Sequence, residues 1–89
     1  GGGGGGGFRY IFAAFLQESS KILNKPELSD LSKEMTTIGD LWRDFAVDAS
    51  RIYKNRSAKE DAYNQVALQL EAIADKEEVF FKKLKKAIK

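Results

Sequence analysis

The side chains of this sequence whose placement most invites a chemical reading are carboxylates. Among its 89 residues there is no cysteine and no histidine. Thiol nucleophiles, imidazole bases and Cys/His zinc sites are therefore excluded, and so are disulfides. Glu77 is the most informative acid, because it falls on an apolar stripe where Ile73 and Phe80 predict a core residue. A carboxylate in that place should be paired, protonated or facing a cavity. A catalytic acid would need a base or a second carboxylate beside it. The simpler account is an acid at the stripe edge, or one paired with a basic neighbour such as Arg43. Arg43 has other options in Asp40 or a group outside the chain. Trp42 lies on the apolar seam of its own segment and reads as a core anchor. Asp40, Asp44 and Asp48 recur at four-residue spacing. Three acids in line could hold a cation, but hard cations need more oxygen ligands, usually brought in by loops, so a solvated face is the reading preferred. No metal, cofactor or catalytic residue is assigned.

Phosphate chemistry is equally poorly served. Beyond the N-terminal run the single glycine is Gly39, so there is no glycine-rich phosphate loop. The stretch from Phe80 to Lys89 is basic and amphipathic, and could lie on an anionic membrane or touch phosphates. Lysines also complement the C-terminal end of a helix, and Glu78 can pair with Lys82 one turn on. With a formal charge of only +2, that second account is preferred, and no nucleic-acid partner is expected. No apolar run approaches the ~18 residues of a membrane span. The apolar stretch from Tyr10 to Leu16 lacks the flanks of a signal peptide. A cytoplasmic location is expected.

The elements that must position these residues are helices. Hydrophobic residues make up 43% and charged residues 31%, which suits a packed helical domain rather than a disordered chain. Gly1 to Gly7 are consecutive glycines, read either as a flexible linker or as positions whose true side chains are unidentified; the domain proper covers residues 8–89. The first helix is predicted from about Phe8 to Leu23, where Phe8, Ile11, Phe12, Phe15, Leu16, Ser19, Ile22 and Leu23 follow a helical period. Pro26 ends that pattern and suits the first position of a second helix. There Leu28, Leu31, Met35, Ile38, Trp42, Phe45, Ala49 and Ile52 form an unbroken heptad seam. Thr36, Thr37 and Gly39 are weak helix formers, so one helix with a soft spot near Gly39 is predicted, with a clean break as the alternative. Ser57 to Glu60 matches a capping box and should open the third helix. Tyr63, Val66, Leu70, Ile73, Phe80, Leu84 and Ala87 carry its stripe, widened by Ala67, Ala74, Phe81 and Ile88. Two long helices joined by a short loop pack antiparallel. The fold class is all-α, a three-helix bundle with two long antiparallel helices, completed by another copy or by a domain absent from this chain.

The best pointer to a partner is the aromatic density of the first helix. Phe8, Tyr10, Phe12 and Phe15 point in several directions, and two other helices can cover only part of that surface. The remainder should meet another copy or a further domain.

The run from Gly39 to Ala46 (Gly-Asp-Leu-Trp-Arg-Asp-Phe-Ala), followed by Ile73 to Glu78 and Leu84, resembles the helical C-terminal domain of butirosin biosynthesis protein H-like proteins. In that family a helical domain follows a cysteine-peptidase-like N-terminal domain, and the naming member transfers an acyl group from a carrier protein to an aminoglycoside. The resemblance implies that the nucleophilic cysteine lies in an N-terminal domain not present in this chain. It also implies that Trp42, Arg43 and Glu77 help to shape a substrate cleft or a dimer. Two functions follow from different classes: an accessory domain of a cysteine-dependent acyltransferase- or amidohydrolase-like protein, or a stand-alone helical interaction module.

Overall fold

The computed structural model describes residues 4–55, 57 and 59–89. Three helices follow in order: α1 (Gly4–Ile22), α2 (Pro26–Lys54) and α3 (Glu60–Ala87). No strand occurs among the described residues, and no helix is long and apolar enough to cross a membrane. α1 starts four residues earlier than its side-chain pattern suggests, inside the glycine run.

The turn between α1 and α2 has a definite physical cause. Asn24 takes φ 52, a left-handed conformation that asparagine tolerates better than most residues. The amide of Lys25 donates to the carbonyl of Ser20 at 3.0 Å, and that of Asn24 to Lys21 at 3.3 Å. These two bonds satisfy carbonyls that the end of the helix would otherwise leave free. Pro26 then opens α2, which runs through Gly39 without a break. The hydroxyls of Thr36 and Thr37 donate to carbonyls four residues back, Ser32 at 3.1 Å and Lys33 at 3.2 Å. Their bonding demand is thus met inside the helix instead of breaking it.

The capping box is not formed. Lys59 is the N-cap of α3 and makes no side-chain cap bond. The amide of Ser57 instead donates to Asn55 Oδ1 at 3.0 Å. The acids Glu60 and Asp61 in the first turn still favour that end of the helix electrostatically.

α2 is the central element, with α1 packed along its N-terminal half and α3 along most of its length. α1 and α3 each run antiparallel to α2 and hence parallel to one another. The core is Ala13, Leu16, Leu28, Leu31, Met35, Ile38, Ile73 and Phe80. The predicted seam of α2 is thus buried in its first half, while Trp42 and Phe45 pack partly buried against the core. In α3 the stripe is buried at Ile73 and Phe80, but Tyr63 and Leu70 are exposed, as are the widening residues Ala67, Ala74, Phe81 and Ile88. They belong to a stretch that only α2 flanks, or to the side of α3 turned away from α2.

The α1 stripe is corrected in the same way. α1 buries Ala13, Leu16 and Ser20, with Phe12 partly covered, whereas Phe8, Ile11, Phe15 and Ile22 are between 64% and 75% exposed. Small side chains win the inner face because they let two backbones approach closely. The Ser32 hydroxyl donates to the carbonyl of Ala13 at 2.6 Å across the α1–α2 contact. At Gly39 the ring of Tyr10 lies against the helix, and a β-carbon there would stand 2.9 Å from Tyr10 Cε1.

That contact gives a sharp expectation. Alanine is a better helix former than glycine by about 1 kcal/mol, yet Gly39→Ala should destabilise the fold by about 1 kcal/mol net, because Tyr10 is held by Asp40 and cannot swing away freely. In a Tyr10→Ala background the sign should reverse. Urea unfolding of the two single variants and the double variant would measure it.

Candidate functional site

The densest polar cluster draws one residue from each helix. Arg9 comes from α1, Trp42 from α2 and Glu77 from α3. The Arg9 Nε donates to Glu77 Oε2, and Trp42 Nε1 donates to the same oxygen at 3.0 Å. The guanidinium carbon of Arg9 also stands 4.6 Å from the centre of the Trp42 ring, an arrangement in which the ring face attracts the cation. Both charged side chains are largely covered, at 19% and 18% exposure.

The position of Glu77 on the stripe is therefore explained by a partner, as the simpler account expected, but the partner is Arg9 rather than Arg43. Arg43 points outward and pairs loosely with Asp40 at 3.4 Å, both side chains being at least half exposed. It lies 5.9 Å from the Tyr10 ring centre. Arg9 is the residue that sequence reasoning passed over. Its signal was the spacing Arg9, Ala13, Leu16, Ser20, which places it on the buried face of α1 once small residues are allowed to define that face.

The electrostatics of Glu77 follow from this geometry. Burial alone would raise its carboxyl pKa. The hydrogen bonds from Arg9 and Trp42, together with the Arg9 charge, outweigh burial and hold it below the ordinary 4.5. Glu77 is an ionised anchor, and a group held in that form is poorly suited to donate a proton near neutrality.

A second, smaller cluster is built on the neighbouring residue of α1. The Tyr10 hydroxyl donates to Asp40 Oδ1 at 2.5 Å, and this bond raises the phenol pKa above 10.0. Of the three acids in line, Asp40 thus serves Tyr10 and Arg43. Asp48 accepts from Gln69 at 3.1 Å and lies 3.7 Å from Arg51. Among the described residues no group of three or more potential metal ligands converges.

The four aromatic residues of α1 separate. Tyr10 lies against Gly39, and Phe12 packs edge-on to Phe80 with ring centres 5.8 Å apart. Phe8 and Phe15 remain on the outside, bounding with Ile11 and Phe12 an apolar depression of about 300 Å³. A second shallow depression, about 360 Å³, lies between α2 and α3. Glu34 and Asp75 line it, but Glu34 is already paired with Lys83 at 2.9 Å. At the basic end, Lys82 pairs with Glu78 at 3.2 Å, and Lys25 Nζ donates to the carbonyl of Ala87 at 3.0 Å.

Residues 1–84 match the model of a protein family described as Domain of unknown function (DUF4872). The chain belongs to the DUF4872 family. No curated protein and no solved structure matches it. Arg9, Trp42 and Glu77 all fall inside the part of this DUF4872 domain that the match covers. Their contacts join the three helices.

Proposed function

We propose that this DUF4872 domain is a non-catalytic helical accessory or dimerisation domain of a larger cysteine-dependent acyltransferase- or amidohydrolase-like protein, working in the cytoplasm without a cofactor. The observation that carries the reading is a contrast on the molecule itself. The polar residues at its centre satisfy one another, while Phe8, Ile11, Phe15 and Ile22 of α1 face outward. A domain arranged in this way offers surface rather than reagents. The likeness of Gly39 to Ala46, and of Ile73 to Glu78, to butirosin biosynthesis protein H-like proteins suggests the setting. There the nucleophile would lie in an N-terminal domain, and this chain would brace it. Trp42 and Glu77 would contribute by fixing helix positions, and Arg43 by its exposed charge. The alternative is a stand-alone interaction module that uses the same α1 face.

The full reading frame and one assay decide between them. The accessory reading expects an upstream domain bearing cysteine and histidine. It also expects the full protein to consume an acyl thioester, with activity abolished when that cysteine becomes alanine and largely retained in Arg43→Ala. A frame without such a domain would overturn the reading in favour of the interaction module.

A further inference from the structure

Three properties of the outer face of α1 point to the same occupant. Phe8, Ile11, Phe15 and Ile22 are spaced 3, 4 and 7 residues apart, so they form a second apolar seam along α1, turned away from α2. A seam with this period fits the grooves of another helix. Its size is also suitable. With Phe81 beside it, its ring centre 6.2 Å from that of Phe12, the face exposes roughly 600 Å² of apolar side chain, the upper end of the ~300–600 Å² usual for the largest patch on a monomer. Each partner in a standard interface contributes about 800 Å².

The third property is shape. The Cα atoms span 53 × 24 × 14 Å, with a radius of gyration of 15.6 Å. A compact domain of this length would have a radius near 12 Å. The molecule is a single thin layer of helices, whereas stable domains bury their apolar surfaces between at least two layers.

We infer that the α1 seam is a self-association surface, on which a second copy of this chain docks by antiparallel packing of α1 on α1 about a two-fold axis near Phe15. The symmetry favours a copy over an unrelated helix. A two-fold at Phe15 sets each Phe15 against its counterpart and brings Phe8 opposite Ile22 of the second copy, so large apolar residues meet at the centre and at both ends of the seam. Charge favours a copy over lipid. Glu18 lies on the seam between Phe15 and Ile22. A membrane-facing stripe would instead exclude the acid. This inference deepens the dimerisation part of the proposed function, but it does not depend on an upstream enzyme domain.

The test uses the chain's lack of cysteine. Phe15→Cys should oxidise rapidly to a disulfide-linked dimer, because the two-fold places the introduced thiols side by side. Tyr53→Cys, at an exposed position near the far end of α2, should do so at least tenfold more slowly. Sedimentation equilibrium should show a dimer of the unaltered chain. Phe15→Lys should weaken it by roughly 100-fold or more, with the helical circular dichroism unchanged. A monomer at high micromolar concentration would overturn the inference, as would equal cross-linking at both positions. So would Phe15-dependent binding to anionic phosphatidylserine vesicles without self-association. None of these failures bears on whether the full protein carries a catalytic cysteine, so the two readings fall separately.

Discussion

Phe80→Ala is expected to cost about 3–5 kcal/mol, the range for deleting a fully buried aromatic side chain, and to lower the melting temperature by about 15–30 °C. Phe80 has no exposed surface. It is held edge-on between Phe12 and Phe81, with ring centres 5.8 Å and 5.1 Å away. It is also where α3 meets both other helices, because α1 reaches α3 only through side chains such as Phe12. Removing the ring therefore opens a cavity at the point that joins all three elements. A domain of this length has a total stability of roughly 5–13 kcal/mol, so the variant should be partly unfolded at 37 °C. Phe81→Ala is the control. Its ring is about half exposed, and its loss should cost under about 1.5 kcal/mol. Thermal melts followed by circular dichroism would compare the two directly.

Glu77→Ala should be nearly as damaging, at about 2–4 kcal/mol, for a different reason. The substitution removes the Glu77 carboxylate from the largely buried Arg9 guanidinium, and leaves Trp42 Nε1 without its acceptor. Glu77→Gln keeps an acceptor oxygen and loses the charge, so about half of that cost is expected. The pH dependence carries the same signature. The folded carboxyl titrates below its ordinary 4.5, so the unfolded chain binds this proton at higher pH than the folded one. The stability from ionised Glu77 is therefore complete above about 4.5 and is lost as the pH falls through the lower folded value. Wild type should lose more stability than Glu77→Gln as the pH falls below that point. Equal slopes would remove Glu77 from the list of anchoring groups.

The fold class could be read because heptad spacing in α2 and α3 is a direct consequence of helix geometry, and the start at Pro26 needed only the chemistry of proline. The face of α1 could not be read the same way. Ranking its residues by hydrophobicity selects Phe8, Ile11 and Phe15, yet the helix approaches α2 through Ala13 and Ser20, because close backbone contact rewards small side chains. One of its contacts is invisible until both helices are placed: Gly39 looks like a weakness in α2, whereas it is the space that Tyr10 occupies. The candidate site was legible by half. Glu77 stood out as a polar residue on an apolar stripe, but its partner lies 68 positions away, and Arg9 is set apart from Arg43 only once Ala13 and Ser20 are allowed to define the buried face of α1. The capping box failed because Asn55 competes for the amide of Ser57, a local choice that the four-residue pattern cannot register.

The central claim is that Arg9, Trp42 and Glu77 hold three helices together. A double-mutant cycle on Arg9→Met and Glu77→Gln, followed by urea unfolding at neutral pH, tests it most directly. The account predicts a coupling energy of about 1–3 kcal/mol between α1 and α3, together with lost cooperativity in either single variant. Additive effects, with both variants as stable as the unaltered chain, would contradict it.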